Sequence, residues 1–526
     1  MILKRNAGIF FCALLLAGCS PHYLERSADK EIAVIFEEKQ QKIKVDILPE
    51  DAFTDETSSE TIIVDIKTAS YIAGNNNRTY KSRQEDIYLN ILDLTYQRYL
   101  YGTRYGLGGA IYGSKGSEDS VSGKANFQLI RWLATGAQIT FDITKDFLRY
   151  FTGDKDTDFR TITSLNILQP LLKGAGREIA QEDLIQSERE TIYAIRDFMR
   201  YQKNFSIETS EKLLNIILLQ KRKENFYNNY QSIKITRERI EMLASAGRIP
   251  PLQVDQAKQN EYTAYQRWIN SENSYTSAVD NFKVFLGLST KSTILIKDAV
   301  IENVMEKGIM EPDIEIKSYV DNALKKRLDL ITSYDKVDDS KRRLQIALNK
   351  LKPSLNLIIR VTGETDAHSY PNIEFNEPSY RAGIEFDLPL NKTPDRNYYK
   401  KALIDLNRKQ RDFENKRDTV ILEVYQQYRN LQEYYQSYLT QQNSLELARR
   451  RVESTDLLLQ AGRATTRDIL DAEESSLSAN NDLANAVVNY FLSYLKLLYS
   501  AELLELDENG MWEDIYEEIS QSTGNK

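Results

Sequence analysis

Apolar and polar residues alternate along two parts of the chain. In residues 137–144 the odd positions are apolar and the even positions are polar, and residues 380–388 alternate in the same way almost without a break. Residues 355–361 place leucine, isoleucine and valine at every second position. Because successive side chains of a β-strand point to opposite faces, each run predicts a strand with one apolar and one polar face.

These strands predict two β-hairpins, one within about residues 102–172 and one within residues 354–390. In the first region the alternating run is followed by a polar turn and a returning strand at 159–169. Two earlier strand-like runs, near 105–112 and 127–133, leave the number of strands in this region open. The two clear hairpins correspond to four strands per chain.

Long stretches with the residue content of helices accompany the hairpins. Residues 177–246 and 395–461 contain neither glycine nor proline, and as helices they would each be about 100 Å long. A helix of that length has nothing to pack on inside one small domain, so we expect neighbouring long helices to cover its apolar positions. Each long stretch ends at a short turn, 246–251 or 461–466. Further helices are expected after these turns, at 252–288 and 467–506.

The two halves of the chain are related by an internal duplication. Residues of the first half recur 215 positions later, and this offset aligns the two turns. The sequence therefore divides into a first repeat, 65–290, and a second repeat, 291–506, which opens with a connector at 289–315 and a helix to residue 351. Each repeat consists of a helix, a hairpin, a very long helix, a sharp turn and a helix. The recurring residues are Leu243, Ala246, Gly247, Arg248, Ala257, Ala264, Asn270, Tyr275 and Leu288.

Composition narrows the possible functions. The 526 residues are 41% hydrophobic and carry a net charge of −8, which argues against low-complexity disorder and against a nucleic-acid partner. The body of the chain has no apolar run long enough for a membrane-spanning helix. With only His22 and His368, a site built on several imidazoles is excluded. The sequence contains no nucleotide-binding, metal-binding or serine-hydrolase motif, so we expect no enzyme activity, no cofactor and no metal.

The first residues of the chain resemble a bacterial lipoprotein signal peptide. Lys4 and Arg5 form a positive start, and the apolar run at 9–17 is too short to span a bilayer. Two small residues and a cysteine follow in the order typical of a lipoprotein cleavage site. We therefore interpret residues 1–18 as a signal peptide, with an ordinary signal peptide and an incidental cysteine as the alternative.

Cys19 is the residue that such a signal would lipidate. Its acyl chains would anchor an N-terminal segment at 19–64, since each buried methylene adds about 0.8 kcal/mol of membrane affinity. Cys12 would leave with the signal peptide, so the mature chain would have no thiol for a disulfide. By resemblance to lipoprotein sorting rules, Ser20 favours the outer membrane.

In a membrane, hairpins with one apolar and one charged face would have to form a closed barrel. Their apolar faces would meet lipid and their charged faces water. Open sheet edges cannot face hydrocarbon, so the strands must close into a barrel. Four strands are about half of the smallest bacterial barrel, and the chain is therefore expected to form an oligomer. Aromatic residues near the strand ends suit an interfacial girdle, although ordinary strand composition explains them equally well.

Four segments together resemble the TolC-like outer-membrane efflux protein family, through roughly residues 65–506. Residues 168–174 and 387–390 leave the two hairpins in the manner of that family. The run at 461–472, across the second turn, is the most specific, and 246–255 is its weaker twin. Cys19 adds a resemblance to the lipidated branch of the family.

The resemblance implies a mainly α-helical fold in which a membrane β-hairpin pair accompanies long helices. Three copies would form a twelve-stranded outer-membrane barrel, four strands from each, and a helical barrel that projects into the periplasm of a Gram-negative cell. It further implies a passive exit duct for efflux or type I secretion. The partners would be a periplasmic adaptor and an inner-membrane pump of RND or ABC type, with the cargo left open.

The resemblance also assigns roles to the two turns. Asp468 and Asp471 match family positions that ring the channel constriction, and three copies would bring six carboxylates to the axis. The alternative is N-terminal helix chemistry, in which Thr465 or Thr466 caps the helix and Asp468 in its first turn interacts favourably with the helix dipole, and both readings can hold for Asp468. The equivalent of Asp468 in the first repeat is the uncharged Gln253, and Leu459 and Ala464 stand where family gates use tyrosine and arginine. The expected adaptor contacts are Ala246, Gly247, Arg248, Ala461, Gly462 and Arg463.

A second function remains open from the sequence. A structural envelope lipoprotein could use the helices as a spacer between membranes, although the alternating hairpins and the duplication argue against it. An enzyme with a helical core is a third reading. Residues 507–526 form a C-terminal tail to which we assign no role.

Overall fold

A computed structural model of the chain describes most of the two predicted repeats. The predicted signal peptide, Cys19 and most of the predicted C-terminal tail lie outside the described residues. The described residues are 28–30, 33–35, 62–115, 119–151, 158–296, 308–309, 311–365, 377–507, 510 and 512.

The described part of the chain is mainly helical and contains a β-sheet, which confirms the coarse fold class. We number the helices α1 (Ile66–Asn76), α2 (Arg78–Tyr101), α3 (Arg177–Ala180), α4 (Glu182–Ser245), α5 (Pro251–Phe285), α6 (Ile316–Lys326), α7 (Leu328–Lys350), α8 (Thr393–Gln460) and α9 (Thr466–Ser500). The strands are β1 (Ile62–Val64), β2 (Thr103–Ser114), β3 (Ser120–Trp132), β4 (Gln138–Tyr150), β5 (Asp158–Pro170), β6 (Ile294–Ile296), β7 (Ser354–Glu364) and β8 (Ser379–Asp387).

The longest helices fall where the sequence lacks glycine and proline. Helix α4 has 64 residues and α8 has 68, which correspond to about 96 and 102 Å. Helix α5 begins with Pro251 at its first position, where the missing N–H costs nothing. Helix α1 begins after Asp65, whose carboxylate accepts a 2.7 Å hydrogen bond from the Thr68 N–H.

Six strands form one antiparallel sheet in the order β2-β3-β4-β5-β7-β8. The prediction of four strands per chain is therefore wrong, because β2 and β3 form an additional hairpin before the expected ones. The sequence pattern does not reveal this hairpin clearly, because glycines interrupt the apolar–polar alternation of β2. These glycines are Gly106, Gly108, Gly109 and Gly113. Beside β3, the ring of Phe147 lies over Gly123, where a Cβ atom would collide with it.

The sheet has one apolar face that continues through all six strands. Residues on this face are direct partners from strand to strand, so the register keeps the apolar residues of all six strands on the same face. On the opposite face Lys124 is the partner of Asp146, and Arg360 is the partner of both Asn166 and Arg381. One complete row of the apolar face is Tyr105, Leu129, Phe141, Leu165, Val361 and Tyr380.

The chain divides into two compact units, and within the described residues the boundaries after 85, 196, 331 and 415 each fall inside a helix. The first unit contains the six-stranded sheet and the adjoining parts of α2, α4, α7 and α8. The second contains both turns, α5, α9 and the parallel pair β1–β6. The first unit consists of residues 1–45, 86–196 and 332–415, and the second of residues 46–85, 197–331 and 416–526.

The first unit joins α4 to α7 through ion pairs and hydrogen bonds. Arg189 donates a 3.0 Å hydrogen bond to the backbone carbonyl of Asp335, and its guanidinium pairs with the buried Asp339. The Tyr193 hydroxyl donates to Asp339 at 2.8 Å. Burial and this carboxylate raise the pKa of Tyr193. The polar network fixes the contact between two helices that have few apolar residues here.

The second unit contains a buried charge cluster around Arg327, whose side chain is 2% exposed. Its guanidinium donates to Asp329 at 2.8 and 2.9 Å and to Glu423 at 2.5 Å. Burial alone would raise the pKa of Asp329. The hydrogen bond from Arg327 and the charges of Arg200 and Lys416 outweigh it and hold that pKa well below its ordinary value.

We predict that Asp329→Asn lowers the free energy of unfolding at pH 7 by about 3 kcal/mol, because it leaves Arg327 buried without its carboxylate partner. The folded-state pKa of Asp329 lies below the unfolded value of about 3.9. Its contribution is therefore complete above that value and is lost as the pH falls further. Thermal unfolding of the two proteins from pH 7 to pH 2 measures the difference, which should shrink in acid.

Asp280→Asn is the matched control. Asp280 pairs with Lys283 three residues away on the same helix and its side chain is 51% exposed, so its loss should cost less than about 1 kcal/mol. An equal effect of both substitutions would contradict the special role of the buried cluster.

Candidate functional site

The candidate site is formed by two helix turns of the second unit, one between α4 and α5 and the other between α8 and α9. Gly247 and Gly462 have φ of 72° and 70°, the left-handed region that favours glycine. The Arg248 N–H donates to the Leu243 carbonyl at 2.9 Å, and the Arg463 N–H donates to the Leu458 carbonyl at 2.8 Å. Both turns thus use the same helix-ending motif, 215 residues apart.

The predicted contact residues lie on the outside of these turns. In the first turn Ala246, Gly247 and Arg248 are exposed, and in the second Ala461, Gly462 and Arg463 are exposed. Their backbone and side chains are therefore accessible in a single chain. Large apolar residues beside the turns are exposed as well, a feature that the sequence reasoning missed. These residues are Met242, Leu252, Leu457 and Leu458.

Thr465 caps the helix that follows the second turn, and Asp468 is its capping partner. The Thr465 N–H donates to the Asp468 carboxylate at 2.8 Å, and the Asp468 N–H donates back to the Thr465 hydroxyl at 3.3 Å. This reciprocal arrangement is a capping box. The Thr465 side chain and backbone hydrogen bonds lower the pKa of Asp468. The capping alternative raised for Asp468 is thus present in the structure, and the carboxylate remains exposed.

Asp471 lies one turn further along α9 and has no such local role. Its carboxylate is 3.7 Å from the guanidinium of Arg467, and both side chains are more than half exposed. An exposed pair of this kind contributes little to stability. The structure therefore places Asp468 and Asp471 in exposed positions near the start of α9, with Arg467 directly before Asp468 in sequence.

The first-repeat equivalent of Asp468 has a structural role. Gln253 accepts a 2.8 Å hydrogen bond from the hydroxyl of Thr466, which is fully buried. This hydrogen bond joins the beginning of α5 to the beginning of α9. Gln253 therefore connects the two turns and does not add a charge to them.

Leu459 and Ala464 belong to the packing behind the turns. Leu459 is buried in a cluster with Ile233, Ile469 and Leu470, and Ala464 packs against that cluster. Neither residue presents a polar group, so a gate network at these two positions is absent from the described chain. The cluster instead holds α4, α8 and α9 together next to the turns.

Ion pairs behind the turns were also missed by sequence reasoning. Arg237 donates to Glu261 at 2.8 Å and to Glu241 at 2.7 Å, while Arg239 pairs with Asp456. Only the pair Arg237–Glu241 has the i, i+4 spacing that a sequence can reveal. Hydrogen bonds from Lys258 and then Arg237 lower the pKa of Glu241. These pairs connect α4 with α5 and α8.

Metal-binding groups and membrane-spanning helices are two further features that bear on the chemistry of the described residues. No group of three or more histidine, cysteine, aspartate or glutamate side chains in these ranges is arranged to hold a metal ion. Among the helices described here, none combines the length and apolar character needed to cross a membrane.

Comparison with known proteins gives a family-model match to part of the chain and a shared fold. A family model described as outer membrane efflux protein matches residues 319–498, while no curated protein matches the chain significantly. The solved structure of CusC, described in connection with transmembrane channel formation, has a TM-score of 0.63 at 13% identity and covers 87% of this chain and 98% of CusC.

Two further solved structures agree over similar lengths. The outer membrane protein VceC from Vibrio cholerae has a TM-score of 0.62 at 14% identity and covers 83% of this chain and 95% of VceC. The CmeC outer membrane channel from Campylobacter jejuni has a TM-score of 0.60 at 13% identity, with coverages of 91% and 97%. The chain therefore shares the fold of these channels over most of its length, and residues 319–498 are similar to the outer membrane efflux protein family.

Proposed function

We propose that this chain is the outer-membrane exit duct of a tripartite efflux or type I secretion system. The duct is passive and has no catalytic step. An inner-membrane pump powers transport and a periplasmic adaptor connects the pump to the duct. The match of residues 319–498 to the efflux protein family and the shared fold support an efflux channel in general. The exposed sheet face and the exposed turns support the finer proposal.

The observation that carries the proposal is the exposed apolar face of the six-stranded sheet. On the edge strands, Tyr105 and Leu107 are 76% and 72% exposed, and Tyr380 and Ile384 are 76% and 69% exposed. A water-soluble sheet would cover such a face with another layer. A face in contact with lipid needs no cover, and the opposite polar face then lines a water-filled lumen.

Among the described residues of a single chain, neither edge of this sheet has a strand partner, so several copies would close the barrel. We propose three copies, as the family resemblance implies. The long helices α4 and α8 and the helices that follow them would then form a second, helical barrel in the periplasm. The recurrence of the turn geometry after 215 residues supports the origin of the two halves by duplication.

The exposed turns are the proposed contact with the adaptor. They combine accessible arginines, Arg248 and Arg463, with exposed apolar neighbours such as Leu252 and Leu457. Surfaces that bring apolar and arginine side chains together are typical of protein interfaces. Asp468 and Asp471 would line the constriction of the trimer near these turns and favour cations.

We predict that the purified chain, reconstituted into a planar lipid bilayer, conducts ions as discrete single channels. An outer-membrane duct requires a continuous water-filled path, whereas a structural spacer does not. Current recordings with the full-length lipidated protein provide the measurement. Persistent absence of conductance from a correctly assembled oligomer would favour the alternative of a structural envelope lipoprotein.

We predict that Asp471→Asn reduces the preference of the channel for cations over anions, because it removes one carboxylate per copy from the constriction. Reversal potentials in a salt gradient measure the preference. Helix capping should persist, since the capping box uses Asp468 and Thr465. Asp418→Asn is the control, as Asp418 is an exposed acid on α8 far along the chain from the turn. An unchanged reversal potential for Asp471→Asn would exclude this residue from the constriction.

We predict that Cys19→Ser abolishes the incorporation of radiolabelled palmitate in the producing cells, because the lipid acceptor is lost. Cys12→Ser is the matched control, since Cys12 would leave with the signal peptide and its loss should not affect labelling. Retention of the label by Cys19→Ser would show that this cysteine is not the anchor.

A further inference from the structure

The additional hairpin β2–β3 changes which strands can meet between copies. In the expected four-strand arrangement the chain would enter the sheet at β4, and β4 would be an edge. In the structure only Gly102 separates α2 from β2, so the chain enters the sheet at β2. The edges are therefore β2 and β8, and β4 lies between β3 and β5.

From this arrangement we infer that β2–β3 is a part of the barrel wall and that β8 of one copy pairs with β2 of the next. Each copy then contributes six strands. With the three copies of the proposed function, on which this number rests, the barrel has eighteen strands.

The pairing of β3 with β4 supports the place of the hairpin in the wall. The register is unbroken from Ser120–Tyr150 to Trp132–Gln138, and the Phe147 ring fits over Gly123. The apolar face of β2 and β3 continues that of β4, as the partners Leu107–Phe127 and Phe127–Ile143 show. A hairpin outside the wall would need neither the continuous register nor the continuous face.

The two edges also match each other in direction, length and exposure. Six antiparallel strands are an even number, so β2 and β8 run in opposite directions and can pair antiparallel around a ring. They have 12 and 9 residues, about the length of a tilted strand that crosses a bilayer. Every residue of β8 is exposed. An unpaired apolar edge of this length is a template for another strand.

A specific register follows from the geometry of barrels. The row of strand partners that begins at Tyr105 of β2 ends at Tyr380 of β8. In a closed barrel, β8 pairs with the next β2 at a position shifted along the strand from this row. A stagger of about six residues per six strands gives a shear equal to the strand number and a tilt of about 36°. It also places the nine residues of β8 wholly opposite β2.

This register brings complementary groups together. Ile384 faces Leu107 on the lipid side, and Tyr380 faces Ile111. On the lumen side Asp387 faces Arg104, the one charged residue of β2. Within the described chain the Arg104 Nε is buried without a hydrogen-bond partner. In this register the neighbouring copy would bring a carboxylate to this guanidinium.

The consequence is a wider duct in the outer membrane. Barrel diameter grows roughly in proportion to strand number, so eighteen strands give a diameter about one and a half times that of twelve. Barrels of sixteen to eighteen strands leave an open aqueous channel. The eighteen-stranded barrel would then admit larger cargo than a twelve-stranded barrel does.

Cysteine crosslinking in assembled oligomers tests the seam between copies. The double variant Leu107→Cys/Ile384→Cys should form disulfide-linked dimers and trimers on a non-reducing denaturing gel after mild oxidation. The matched double variant Ile143→Cys/Ile384→Cys replaces the β2 residue by its counterpart on β4 and should form none. The single variants control for Cys12 and Cys19.

Crosslinks through Ile143→Cys, or oligomers of confirmed mass that lack the Leu107→Cys crosslink, would overturn the inference. In that case single-channel conductance would still uphold the proposed function. A chain that stays monomeric and does not conduct would instead overturn the proposed function itself.

Charge exchange tests the register independently. Arg104→Glu and Asp387→Arg should each lower the temperature at which the oligomer dissociates, because each places like charges across the seam. The double variant Arg104→Glu/Asp387→Arg should restore that temperature, which a local defect in either strand would not. A double variant no more stable than the single ones would overturn the six-residue stagger.

Discussion

The backbone N–H and C=O groups along the edges of the six-stranded sheet dominate the organisation of this protein. In hydrocarbon they find no water to bond, so each edge requires another strand. One chain has two such edges and cannot satisfy them alone. The exposed apolar face favours the membrane for the same sheet that requires a neighbour. In the proposed duct, the apolar face of this sheet would account for membrane insertion and its open edges for assembly.

Much of the fold follows from local sequence patterns. The long helices lie where glycine and proline are missing, and the turns lie at Gly247 and Gly462, which adopt positive φ. The strands β4, β7 and β8 follow clear alternation. The hairpin β2–β3 could not be counted from the sequence, because glycines have no side chain to show which face is apolar. Its place in the sheet depends on pairing with β4, which a periodicity cannot reveal.

The candidate site was predictable in position but only partly in role. The sequence located Asp468, Asp471 and both turns. It could not decide between a cap and a constriction at Asp468, and the structure shows that the cap exists while the carboxylate stays exposed. Residues that join distant segments escaped prediction. The hydrogen bond between Thr466 and Gln253 and the pair Arg239–Asp456 each connect positions more than two hundred residues apart, and only the fold brings them together.

The order of the strands also has a consequence for how the sheet forms. Strands β2 to β5 are consecutive and joined by short connections, so their pairing closes small loops quickly. Pairing of β5 with β7, through Ile167 and Ile359, closes a loop that contains α4 and α5 and therefore costs more conformational entropy. A four-stranded meander would thus exist before β7 and β8 arrive, and its β5 edge would be open to pairing with a wrong chain during that interval.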